Sequence, residues 1–193
     1  MFTRFSVSAI IVLAAIVWGI SLWIFGVKLT WEDSKPFSLT VAVVTGAVQA
    51  FDKVLWRRWP CRWFHSVPDL VGSWNVELRS SYSSPGGPPL DPISGTATII
   101  QTFSSLSIRI KTDSQASFLL AERLIRHGDG AYEVIGVYQS EPSIHLRGSQ
   151  SEIHFGGFKY AVTGSPPVEM NGHYWTDRST AGSIRLTRAE VAK

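Results

Sequence analysis

Cysteine is nearly absent. Cys61 is the only one in 193 residues, which excludes a disulfide framework and a cysteine-built zinc site. The five histidines (65, 127, 145, 154 and 173) are scattered without the spacing of metal ligands. HExxH, GxSxG, GxxxxGK[ST] and CxxC are all missing. Ser80, Ser81, Ser83 and Ser84 flank a Pro/Gly stretch, where serine serves turns rather than nucleophilic attack. With no assembled catalytic constellation, the expectation is a protein that is not an enzyme and carries no cofactor or metal.

A strongly basic segment of the kind that binds duplexes is also missing. The net charge is +3, and the basic excess sits early: seven Lys/Arg against three Asp/Glu up to His65, then eleven against twelve from Ser66 onward. A clustered cationic face for a DNA or RNA duplex is therefore not expected. The length leaves room for a single folded domain of about 125 residues behind the early apolar stretch.

That stretch contains two apolar runs. Phe5 to Val27 is 23 residues without a charge, bracketed by Arg4 and Lys28, and about 20 apolar residues suffice to cross a bilayer. Pro36 to Phe51 adds 16 uncharged residues and reaches spanning length only if it continues past Asp52 and Lys53 to about Trp56. The expected organisation is a two-helix transmembrane hairpin over 1–61, with helices near 5–27 and 36–57, then a linker over 62–68 and a β-rich domain over 69–193. Lys53, Arg57, Arg58 and Arg62 outnumber Lys28 and Lys35 in the connecting loop. Positive residues are retained inside, so both termini are expected in the cytoplasm. Small residues at Ala42, Gly46, Ala50, Ala15 and Gly19 suit close helix packing, either within the hairpin or between copies.

From about residue 69 the pattern shifts to short alternating segments, the mark of half-buried strands. Trp74, Val76 and Leu78 share one face of the first. Further strands are expected over 96–103, 106–112, 117–125, 132–140, 153–161, 170–176 and 183–188. The segment LLAERLI (119–125) contains good helix formers, but its length and neighbours favour a strand. SSPGGPPLDP, HGDG, SEPS, GSPP and STAG punctuate the series. The expected fold is a membrane-anchored all-β protein: two transmembrane helices followed by a closed antiparallel barrel of about eight strands, lipocalin-like in shape, able to enclose one small ligand.

Polar and aromatic residues recur within these strands: Gln101, Tyr138, His154, Tyr160, Tyr174, Trp175 and Arg178. In a barrel interior such groups stack on bases and pair with their edges, and an arginine meets a phosphate in a charge-assisted fork. Taken singly, each also reads as core packing.

Four motifs then combine. DLVGSW (69–74), VYQSEP (137–142), HFGG (154–157) and NGHYWTDRSTAG (171–182), behind two apolar runs, resemble the two-transmembrane, β-strand-rich effectors of bacterial CBASS antiphage defence. Tyr138 and Pro142 fit that family's Y-x-x-x-P, His154 and Gly156 its H-x-G, and Tyr174, Thr176 and Arg178 its closing motif. Gln139-Ser140 stands where an Asn-containing tract is expected, a departure that bears on nucleotide preference more than on fold. The resemblance implies a cytosolic barrel sensing a cyclic dinucleotide made by a phage-activated nucleotidyltransferase (CD-NTase). It further implies homo-oligomerisation on binding, disruption of the lipid bilayer of the inner membrane, and death of the infected cell. On this reading Arg178 and Arg109 are candidates for phosphate, Tyr138 and Tyr174 for stacking, and Gln101, Thr176 and His154 for base or ribose edges. The competing readings are a membrane-tethered lipocalin-like carrier of a small apolar ligand and a filled barrel acting as a scaffold.

Overall fold

The computed structural model describes residues 7–24, 26, 31–81, 91–144 and 152–189. Arg4, Lys28, His145 and most of the SSPGGPPLDP turn lie outside the described residues. The chain forms two compact units, residues 1–66 with 102–104, and residues 67–101 with 105–193.

The first unit holds helices α1 (Val7–Ile24) and α2 (Trp31–Lys53), followed by two short 3-10 turns at Leu55–Arg57 and Cys61–Phe64. The expectation of two membrane crossings is corrected here. Among the described residues, no helix is long and apolar enough to cross a membrane. At 1.5 Å per residue the 18 residues of α1 cover about 27 Å, short of a bilayer core of about 30 Å. Helix α2 has 23 residues, but Glu32, Asp33, Lys35, Asp52 and Lys53 are among them, leaving an uncharged stretch of about 24 Å. The assignment to a bacterial inner membrane with both termini in the cytoplasm depended on two crossings and is withdrawn with them. A side chain added at Gly19 or Gly46 would meet nothing within 4 Å, so neither glycine is needed for close packing among the described residues. Phe51, Trp56, His65 and Phe103 form an aromatic cluster in this unit, with ring centroids 5.1–6.4 Å apart.

The second unit is a closed antiparallel barrel in which each of eight strands pairs with its sequence neighbours and the last pairs with the first. The strands are β1 (Gly72–Ser80), β2 (Ile93–Gln101), β3 (Leu106–Thr112), β4 (Gln115–Arg126), β5 (Tyr132–Pro142), β6 (His154–Thr163), β7 (Glu169–Thr176) and β8 (Ala181–Arg188). Alternation produces this ring: Ala97 and Ile99 of β2, Leu106 and Ile108 of β3, and Ile184 and Leu186 of β8 are buried, while the residues between them are not. LLAERLI is strand, as its neighbours required.

The two ends of the barrel differ. At one end the start of β1 meets the end of β2, and Leu70, Trp74, Ala97, Val134, Met170 and Leu186 fill the interior with no exposed surface. Each large side chain so buried contributes about 1.5–3 kcal/mol. Arg188 caps this end: its guanidinium lies 4.8 Å from the Trp74 ring and donates to the carbonyls of Pro167 (2.9 Å), Val71 (3.2 Å) and Asp69 (2.6 Å). The other end is hollow. One seam is also thin: β3 and β4 pair through only three positions, from Arg109 opposite Phe118 to Lys111 opposite Ala116. Past that point the Leu106 N–H donates to the Glu122 carboxylate at 3.1 Å.

Candidate functional site in the barrel mouth

The hollow end encloses a cavity of about 540 Å3, inside the roughly 300–1,000 Å3 range of small-ligand pockets. Five of the seven ligand-contact candidates line it together, Tyr138, His154, Tyr174, Thr176 and Arg178, and Tyr160 joins them. They come from β5, β6, β7 and the β7–β8 turn, which are adjacent in the ring.

That turn is locked from within and from the side. Thr176 Oγ1 lies 2.6 Å from Thr180 Oγ1 and accepts from the Arg178 N–H at 3.2 Å. The Asp177 N–H donates to the Phe155 carbonyl, and the Phe155 N–H donates back to the Asp177 carboxylate at 3.2 Å. Ser179, with φ of 58°, takes the left-handed conformation that reverses the chain. The result presents Arg178 at the cavity edge, where its Nη2 donates to His154 Nδ1 at 2.5 Å. With Arg178 donating, Nδ1 carries no proton and the imidazole is neutral, whereas the Glu152 carbonyl, 3.3 Å from the same Nδ1, is the partner of the tautomer protonated there. Burial, and then the Arg178 charge, hold the His154 pKa below its usual range, against opposing effects from the Glu152 carbonyl and the Asp177 carboxylate.

The aromatic wall is set by glycine. Tyr138 pairs with Gly156 and Tyr174 with Gly182 across their strands. A side chain at Gly156 would meet the Tyr138 ring at 2.5 Å, and one at Gly182 would meet the Tyr174 ring at 2.7 Å. Each ring therefore lies against the bare backbone of its neighbour, which leaves the centre of the barrel open. Deeper in, Phe158 stacks on Tyr160 with centroids 4.2 Å apart, and Tyr138 tilts over Phe158 at 6.4 Å. Burial pushes the Tyr138 hydroxyl up to about 12, helped by Tyr174 and Asp177 and opposed by Arg178. Burial raises the Tyr160 hydroxyl further. Both phenols remain neutral hydrogen-bond donors at physiological pH.

Two candidates lie elsewhere. Gln101 is buried at the filled end, where it accepts from the Leu70 N–H (2.9 Å) and its Nε2 donates to the Pro68 carbonyl (3.1 Å). Its amide ties the segment before β1 to the end of β2. Arg109 faces outward from β3, between inward Ile108 and Ile110, and rests on the Phe118 ring at 4.8 Å. Neither lines the cavity.

The structure also adds residues the sequence reading did not single out for the site. Thr112, Gln115, Ser117 and Ser140 form a polar ledge on the wall built by β3, β4 and β5. The Ser117 hydroxyl donates to Ser140 Oγ (3.0 Å), and Ser140 donates to Gln115 Oε1 (3.2 Å). The signal that would have found Ser140 was phase, since it shares its face with Tyr138 two residues before it. Among the described residues that line the cavity, Arg178 is the only one with a formal charge. Among the described residues no cluster of His, Cys, Asp or Glu could hold a metal.

An up-and-down eight-stranded barrel, filled at one end and, among the described residues, hollow, aromatic and singly cationic at the other, has the architecture of a small-ligand-binding protein. Residues 65–188 match the family described as Cap15, cyclic dinucleotide receptor domain, and the chain belongs to that family. It is similar to CD-NTase-associated protein 15 of Yersinia aleksiciae, 28% identical over 163 residues that cover 82% of this chain and 74% of the relative. It is also similar to CD-NTase-associated protein 15 of Staphylococcus schleiferi, 25% identical over 182 residues, covering 94% and 91%. The resemblance to CBASS effectors is thereby supported in its coarser form, a cyclic dinucleotide receptor domain built on an eight-stranded barrel.

Proposed function

We propose that the cavity at the barrel mouth is where this chain takes a cyclic dinucleotide, and that it acts as a sensor rather than an enzyme. A phosphate of the ring meets Arg178, its bases lie against Tyr138 and Tyr174, and Thr176 and His154 contact base or ribose edges. The observation that carries the reading is the cation of Arg178 set beside two tyrosine faces in one cavity. A wholly apolar ligand offers the Arg178 guanidinium no anion, whereas a cyclic dinucleotide offers it a phosphate.

In the same reading, ligand made by a CD-NTase promotes self-association of the chain, and the assembled protein damages a lipid bilayer. The motif resemblance supports these two steps. The primary test is thermal denaturation of the full chain with cyclic dinucleotides, with fatty acids and with neither, because a ligand that binds the native state raises its melting temperature. A shift with dinucleotides alone is expected, and a shift with fatty acids alone overturns the reading. Light scattering with and without the dinucleotide tests assembly, and dye release from vesicles tests bilayer damage.

A further inference from the structure

The mouth of the barrel is chemically two-sided. In a closed ring of eight strands, the β7–β8 turn and the β3–β4 turn are separated by four strands in either direction, so they stand on opposite walls of the same end. One wall presents Arg178 and His154. The wall built by β3, β4 and β5 presents Thr112, Gln115, Ser117 and Ser140, none of which is charged; it starts across the mouth at the β3–β4 turn and runs round to Ser140, the register partner of His154. A ring of two phosphates and two bases bound with phosphate on the first wall sets a base edge against the second.

The second wall is organised around one amide. Ser140 is 1% exposed, accepts from Ser117 and gives its only proton to Gln115 Oε1. The backbone of Gln115 is held too: its N–H donates to Thr112 Oγ1 (3.3 Å), and its carbonyl accepts from the same hydroxyl (3.2 Å). The Gln115 Nε2 group has no hydrogen-bond partner among the described residues. Its carbonyl oxygen is engaged on the wall, so the amide offers the cavity a donor and not an acceptor.

From this arrangement we infer that Gln115, oriented by Ser140, is a base-discriminating residue that donates to a carbonyl oxygen on one base of the bound cyclic dinucleotide. Uracil and guanine present such an oxygen, O4 or O6, where cytosine and adenine present an amino group that is itself a donor. The amino-bearing bases set donor against donor and leave the amide unpaired. This inference rests on the cavity being the dinucleotide site.

The test is equilibrium binding of the full chain to cyclic di-UMP, cyclic di-GMP and cyclic di-AMP. One unmade hydrogen bond is worth about tenfold in affinity, so cyclic di-UMP or cyclic di-GMP is expected to bind at least about tenfold more tightly than cyclic di-AMP. Gln115→Glu replaces the donor with an acceptor and should move the preference toward cyclic di-AMP. Its added charge weakens all three ligands together, so the ratio between them is the readout. Ser140→Ala releases the amide to turn over and should shrink the ratio to within about threefold. Gln115→Leu, which introduces no charge, serves if the glutamate variant fails to fold, and should also abolish the preference. Equal binding of the three by the unaltered chain, tighter binding of cyclic di-AMP, or a ratio unmoved by both Gln115 substitutions overturns the inference alone. Binding of none of the three overturns the assignment of the cavity and the inference with it.

Discussion

Arg178 Nη2 donates to His154 Nδ1 at 2.5 Å, joining the β7–β8 turn to the first residue of β6 at the rim of the cavity. A neutral histidine and a permanent cation are thus coupled at the place where an anion is proposed to arrive.

This pair makes stability depend on pH in a defined direction. Burial first, and Arg178 second, depress the folded-state pKa of His154 below its ordinary 6.5. Between that depressed value and 6.5 the unfolded chain holds more protons than the folded one, so stability is complete above 6.5 and declines as pH falls toward the folded pKa. The melting temperature of the ligand-free chain should drop between pH 7.5 and 5.5. His154→Gln, which still accepts from Arg178 but does not titrate, should remove that component; an unchanged profile in the variant overturns the assignment.

Arg178→Ala should weaken binding of the cyclic dinucleotide about tenfold to a hundredfold, the usual cost of losing a charged hydrogen bond. Arg178→Lys keeps the charge but loses the planar fork, and should fall between the two. Calorimetric titration of the full chain measures both. Affinity unchanged in the alanine variant removes Arg178 from the phosphate role.

Gly182→Ala should destabilise the barrel by about 1–3 kcal/mol, as overpacking does. The added methyl would sit 2.2 Å from the Arg79 carbonyl and 2.7 Å from the Tyr174 ring. The first clash is with backbone, so combining the change with Tyr174→Ala should recover only part of the loss. Denaturant unfolding of the single and double variants reads this directly.

Arg188→Met should cost about 2–4 kcal/mol of unfolding free energy, because it removes three donated hydrogen bonds to carbonyls and the cation over Trp74. It acts at the filled end, so affinity for a ligand at the hollow end should stay within about twofold wherever the variant is folded. Equal stability of the variant and the parent would show that the cap is dispensable.

Much of this architecture was legible before the structure. Turn residues at HGDG, GSPP and STAG and an alternating pattern from Trp74 onward were enough to place the strands, because an inward apolar face every second residue is all that a half-buried strand demands. The outward direction of Arg109 was legible too, since Leu106, Ile108 and Ile110 claim the opposite phase. The chemistry of a guanidinium drew attention away from its position. Gln101 could not have been placed the same way: it points inward like Ile99 and Ala97, yet lies at the filled end. The apolar runs misled differently, because counting uncharged residues says nothing of where a helix begins and stops.

By itself the sequence determined the number of strands, the spacing of the turns and, in strands that alternate cleanly such as β2 and β3, the side each residue occupies, all local properties of a chain with period two. Only the tertiary structure decided depth: which inward residues meet around the hollow end, which plug the other, and that Gln115 stands across the mouth from Arg178. Depth depends on the stagger with which eight strands close into a ring, and that stagger is set by long-range pairing that no single strand encodes.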